Sequence, residues 1–265
     1  MLEIFPSPAI IAHRGASMHA PENTLSAFNL AIEHGADALE FDVQLTADKA
    51  VVVLHDDTLD RTTNGTGRVR DHNLDYLKTL NAGEAYGTAF SDQKIPTLEE
   101  VLEIFGTSTI YNIELKNGFT PFNDLPARVV SIIKNSKLMD QILFSSFNPF
   151  ALKKTSKLLP NARKGILLHN PWSVDLLSNI PIMPFNYDTA HIAFSTLSSK
   201  RINSFHSSGK LVFAYTLNHP HDIQIALNLG VDGFFTDDPA LARRTLADNY
   251  QQSQNEIGYT TKTIQ

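Results

Sequence analysis

The sequence has no cysteine. Disulfides, thiolate metal sites and a cysteine nucleophile are therefore excluded, and a metal centre, if there is one, falls naturally to oxygen ligands. Long apolar runs are missing too. The longest, such as Ala50 to Leu54, are a few residues, whereas a membrane span needs about 18 or more. Positive charge is in deficit: 22 basic against 28 acidic side chains leave a formal charge of −6. Nucleic-acid surfaces need clustered Lys and Arg, so this balance argues against one. Met1 to Pro8 carries no basic residue and runs into Pro6 and Pro8, so no signal peptide is read. A soluble, cytoplasmic protein without a transmembrane segment is expected. With 42% hydrophobic and 19% charged residues, wholesale disorder, collagen-like repeats and a coiled coil are excluded.

What is present is a rhythm. Strands are expected at Ala9–His13, Ala38–Thr46, Ile110–Lys116, Gln141–Phe147, Lys164–His169, Pro184–Asp188, Leu211–Leu217 and Gly233–Thr236. Helical stretches separate them, near Asn23–His34, Thr97–Phe105, Phe122–Lys134, Pro149–Leu158, Ser173–Leu177, Leu197–His206, Asp222–Asn228 and Pro239–Tyr250. Strands alternating with helices imply a parallel sheet. Eight such units over a chain of this length predict a (β/α)8 TIM barrel. The runner-up is a doubly wound sheet, but no glycine-rich dinucleotide fingerprint follows the first strand. Ala50–His55 reads as a hairpin partner of the second strand. Asp56 to Pro96 has little apolar periodicity and reads as a cap-like insertion between that strand and its helix. The catalytic domain is expected over 1–250, with a polar tail over 251–265.

Glu40 and Asp42 are two apart on a strand, so they share a face, with Phe41 and Val43 on the other. Two carboxylates on one face repel unless a cation lies between them. Glu114 on another strand would complete an all-oxygen set suited to Mg²⁺, Ca²⁺ or Mn²⁺. The alternative is scattered surface charge. His13 and His55 close two strands, where histidine serves either as a structural hydrogen-bonder or as an acid–base group. Active sites of such barrels lie at the carboxyl ends of the strands, and a pair there suits general acid–base work. Arg14 offers a planar fork for phosphate, or a rim ion pair. Pro21-Glu22-Asn23-Thr24 opens the first helix, with Asn23 as a candidate cap. Asp237-Asp238-Pro239 reads as a structural cap with Pro at the first helical position. Tyr215 lies near a strand end, either in the pocket or in the core.

In order and spacing, these segments resemble the glycerophosphodiester phosphodiesterase family of cytoplasmic bacterial type. They run His13-Arg14-Gly15, Pro21-Glu22-Asn23-Thr24, Glu40-Phe41-Asp42-Val43, His55-Asp56, Arg61-Thr62-Thr63-Asn64-Gly65-Thr66-Gly67, Ile95-Pro96-Thr97-Leu98, Glu114-Leu115-Lys116, Ser145-Ser146-Phe147 and Gly230-Val231-Asp232-Gly233, with Thr236, Asp237 and Pro239 around the last. The resemblance spans about Ile10 to Ala240. It implies a TIM barrel with a small insertion after the second strand and one divalent cation held by Glu40, Asp42 and Glu114. It implies His13 and His55 as the acid–base pair, Arg14 and Lys116 as phosphate contacts, and Glu22 and Tyr215 as pocket candidates. The family often has Trp where this chain has Tyr215, which bears on substrate preference. The implied reaction is hydrolysis of small glycerophosphodiesters to sn-glycerol 3-phosphate and an alcohol. Attack comes either from the neighbouring glycerol hydroxyl or from water. Rival readings are a phosphodiesterase acting on lysophospholipids, a barrel that binds phosphodiesters without cleaving them, and a metal-dependent lyase or isomerase using Lys116.

Overall fold

The structure, a computed structural model, describes residues 4–118, 120–179 and 185–249. Its first strand, β1 (Ala9–His13), leads through a tight turn into α1 (Leu25–Glu33). Thr24 caps that helix by accepting from the Ala27 N–H; Asn23, the expected cap, is used elsewhere. β2 (Ala38–Leu45) turns at Lys49, in the left-handed region, into β3 (Val51–Val53), which pairs with it antiparallel. After the insertion come α3 (Leu98–Phe105), β4 (Ile110–Leu115), α4 (Leu125–Ser136), β5 (Ile142–Ser146) and α5 (Pro149–Leu158). β6 (Arg163–Leu168), α6 (Pro171–Asn179), β7 (Thr189–Ala193), α7 (Ser199–Ser207), β8 (Leu211–Tyr215), α8 (Pro220–Leu229) and β9 (Gly233–Thr236) follow, and a closing helix occupies residues 239–249.

Eight strands pair in parallel, and β1 pairs with both β2 and β9, so the sheet closes into the expected TIM barrel. Alternation sorts the side chains. Leu39, Phe41, Val43, Tyr111, Ile113 and Phe144 pack outward under the helices, each burial contributing roughly 1.5–3 kcal/mol. Ala9, Ile11, Ala38, Leu143, Phe213 and Phe235 fill the barrel interior. The same inward register carries His13, Glu40, Asp42 and Glu114 to the mouth, since His13 lies opposite Glu40 and Asp42 opposite Glu114.

One expectation needs correction. The seventh strand is Thr189–Ala193, not Pro184–Asp188. Its inward positions are Thr189 and His191, so it lacks the apolar run that marks a buried strand. The insertion, whose sequence shows little apolar periodicity, contains a short helix, α2 (Leu74–Thr79), and three 3₁₀ turns. It also has a core of its own: Leu59, Val69, Leu77, Leu80, Ala82 and Ile95 pack on Val52 and Leu54. Irregular turns present these residues one at a time, so no helical or strand period reveals them. The tail expected over 251–265 and Pro184 lie outside the described residues. No helix among the described residues is long and apolar enough to cross a membrane.

Candidate active site

The β1–α1 turn sets the entrance. Gly15 has φ +85°, and a Cβ there would meet the Ala27 backbone at 2.7 Å, so only glycine fits where the turn folds onto α1. Arg14, also at positive φ, donates its backbone N–H to Glu40 Oε2 at 3.0 Å. Its guanidinium pairs with Glu22 at 2.9 Å and lies 3.5 Å from Asp42.

Glu40, Asp42 and Glu114 are all buried, and one oxygen of each lies within 4.8 Å of the others. Burial, then the charges of Asp42 and Glu114, push the Glu40 carboxyl well up from its ordinary value. Glu114 is raised to about 7 by burial and by Asp42. Burial would raise Asp42 too, but Lys116, Arg14 and His55 and a hydrogen bond from Asn23 hold it down. Asn23 Nδ2 donates to Asp42 Oδ2 at 2.9 Å, which is why the cap of α1 falls to Thr24. Lys116 Nζ lies 3.2 Å from Glu114 and 3.8 Å from Asp42. Three oxygen donors this close, two of them raised by burial and by neighbouring carboxylate charge, fit a hard divalent cation.

Two histidines open on the same cavity, a space of about 280 Å³ also lined by Arg14, Lys116, Phe147 and Tyr215. Each is held at Nδ1 by a carboxylate: His13 by Asp237 at 2.7 Å and His55 by Asp56 at 2.6 Å. Each aspartate thus engages Nδ1 and leaves the Nε2 of its ring for other partners. Lys116 Nζ lies 3.1 Å from His55 Nε2, and an ammonium only donates. That contact is satisfied by an unprotonated Nε2, and burial likewise lowers the pKa of His55 despite Asp42.

The carboxylates are themselves fixed. Arg61 grips Asp56 through Nε at 2.6 Å and Glu22 through Nη1 at 2.6 Å, pulling Asp56 far below the ordinary carboxylate range. Asp237 accepts from Ser17 Oγ at 3.0 Å and from Asn218 Nδ2 at 2.5 Å. The insertion touches this network where Tyr86 donates to the Ser17 carbonyl at 2.6 Å. Glu22 does not line the cavity; it joins Arg14 to Arg61. Tyr215 does line it, with its hydroxyl donating to the Leu168 carbonyl at 2.9 Å.

Sequence reasoning missed Asp56, Arg61, Asn23 and Asp237 in these roles. The Asp237-Asp238 pair held a usable signal, since a cap needs one carboxylate. Asp238 is that cap, accepting from the Leu241 N–H, and Asp237 serves His13.

Fold and site together define a TIM-barrel enzyme with an acidic all-oxygen centre flanked by carboxylate-held histidines. Residues 13–241 match the glycerophosphoryl diester phosphodiesterase family, and the chain belongs to that family. It is 37% identical over 236 residues to a glycerophosphodiester phosphodiesterase of Caldanaerobacter subterraneus, covering 87% of this chain and 94% of the relative. A glycerophosphodiester phosphodiesterase of Bacillus subtilis is 33% identical over 246 residues, with 87% and 84% covered. Among solved structures, a phosphodiesterase from Oleispira antarctica in complex with the product sn-glycerol-3-phosphate superposes with a TM-score of 0.82. It is 33% identical, with 91% of this chain and 97% of that one covered.

Proposed function

We propose that this protein hydrolyses small glycerophosphodiesters to sn-glycerol 3-phosphate and an alcohol, with His13 and His55 as the acid–base pair and a divalent cation held by Glu40, Asp42 and Glu114. The observation that carries the reading is the pair of imidazoles, each fixed at Nδ1 by an aspartate, opening on one cavity beside three buried carboxylates. The solved relative with sn-glycerol-3-phosphate bound supports the product.

A phosphodiester presents one negative charge at an unreactive centre. A divalent cation, when bound, supplies Lewis-acid polarisation of a non-bridging phosphate oxygen. Arg14 and Lys116 add fixed positive charge where the equatorial oxygens gain negative charge. In this reading His55 Nε2 takes a proton from the attacking hydroxyl, of the glycerol or of water. His13 Nε2 then gives a proton to the departing alkoxide while Asp237 holds Nδ1. Each transfer contributes typically about 10²–10⁴-fold. The net reaction consumes one water.

The test compares an alkyl leaving alcohol with p-nitrophenolate, which leaves without a proton. His13→Ala should lose at least about 10²-fold on glycerophosphocholine but keep most of its turnover on the p-nitrophenyl diester, while His55→Ala loses both. Equal losses of both substrates in His13→Ala would remove the acid assignment. Exposed Phe122, on the loop after β4, and exposed Phe150 and Trp172, in the first turns of α5 and α6, favour a second reading in which the substrate is a lysophospholipid. Turnover of lysophosphatidylcholine above that of glycerophosphocholine would promote it.

A further inference from the structure

A second cavity, of about 530 Å³, adjoins the catalytic one. The two share His55, Glu114, Lys116 and Phe147, so the reacting centre lies at their junction. A phosphodiester carries two alcohols, and a phosphorus at that junction sends one into each space. The smaller cavity, closed by Tyr215, Thr216 and Phe235, suits glycerol. The larger groove is left for the leaving alcohol.

The far end of this groove is basic. Lys49 stands at the turn between β2 and β3, and Arg70 in the 3₁₀ turn over Val69–Asp71; both line the groove. They are brought together because the insertion docks on the hairpin: the Ala47 N–H donates to the His72 carbonyl at 2.8 Å and the Leu74 N–H to Asp48 Oδ1 at 3.1 Å. Arg70 is half-buried, and among the described residues no ion pair or hydrogen bond of its side chain is found. An arginine guanidinium facing a groove offers a planar, permanently charged fork that matches a phosphate or carboxylate. The groove's acidic side chain away from the catalytic carboxylates is Asp57, and it lies 3.8 Å from Arg68. Two cations thus face the leaving-alcohol space in a protein of net charge −6.

Resting on the reaction proposed above, we infer that this groove is a leaving-alcohol subsite selecting alcohols that carry a further anionic group, with Lys49 and Arg70 as the specificity-determining residues. Phe147 and Phe150 also line it and offer faces to a quaternary ammonium, so choline is the competing occupant. The test measures kcat/KM at low salt for bis(glycerophospho)glycerol, whose leaving alcohol is anionic, and for glycerophosphocholine. Wild type should favour the anionic substrate, and the ratio should fall about fivefold in Arg70→Gln and again in Lys49→Gln. It should also fall as salt is added. Thermal melts accompany both variants, and exposed Lys49 provides a substitution that leaves packing intact. A wild-type preference for glycerophosphocholine, or a ratio unmoved by either substitution, overturns the subsite and leaves the reaction standing. No turnover of either substrate overturns both.

Discussion

Asp237→Asn is the most demanding perturbation of the proposed acid–base pair, because it changes charge while keeping shape. Asp237 uses both oxygens: Oδ1 accepts from His13 Nδ1 at 2.7 Å and Ser17 at 3.0 Å, and Oδ2 from Asn218 Nδ2 at 2.5 Å. Burial would raise its carboxyl, but the hydrogen bond and charge of His13, with Asn218 and Ser17, hold it below the ordinary value. An amide cannot serve this ring of donors. In one orientation its NH₂ meets Asn218 Nδ2; in the other it meets Ser17 and the His13 N–H. A hydrogen bond to a charged group contributes about 1.5–3 kcal/mol, so losing it from the reacting imidazole should lower kcat by about 10–150-fold. Glycerol 3-phosphate release, coupled to a dehydrogenase, reads the rate, and a thermal melt confirms the barrel. The same substitution in a His13→Ala background should cost almost nothing, since Asp237 acts through His13. Turnover within threefold of wild type, or an equal loss in both backgrounds, would refute the positioning role.

Two other outcomes follow from the site and its barrel. Adding Mg²⁺, Ca²⁺ or Mn²⁺ to chelator-treated protein should raise Tm, by the equivalent of about 2.7 kcal/mol at a hundredfold excess over Kd. Glu40→Gln and Glu114→Gln should lose that response, and a wild-type Tm indifferent to all three ions would sink the carboxylate centre. His191 is fully buried, and burial lowers its pKa to about 3 from the ordinary 6.5. The folded state refuses a proton that the unfolded chain accepts, so this stability is complete above about pH 6.5 and is lost as pH falls towards 3. The loss reaches about 2 kcal/mol by pH 5. Urea unfolding at pH 7 and pH 5 should show a difference smaller by that amount in His191→Gln, and equal differences would contradict the argument.

Two kinds of information were legible in the sequence to different degrees. Local periodicity carried most of the barrel, because strands such as Ala38–Leu45 put apolar residues on the helix-facing side of every pair. It also carried Glu40 and Asp42, whose spacing of two is itself the geometry. It failed at β7, where Thr189 and His191 face inward, and in the insertion, where Leu59, Val69 and Leu80 reach a common core from irregular turns. The partners of the site residues were hidden for a different reason. Asn23 reads locally as a cap, and only the packing of α1 on β2 shows that its amide is taken by Asp42.

The His13–Asp237 pair shows how far this non-locality goes. Its members are 224 residues apart and meet only because β1 pairs with β9 and closes the barrel. The His55–Asp56 pair is adjacent in sequence, yet its geometry depends on Arg61, which reaches from the insertion to Glu22 beside β1. Neither histidine is oriented by its own strand alone. One is oriented by barrel closure and the other by docking of the insertion. The two histidines therefore depend on separate parts of the fold. A substitution that loosens the insertion, such as Arg61→Ala, acts first on His55, whereas one that loosens the β1–β9 seam acts first on His13.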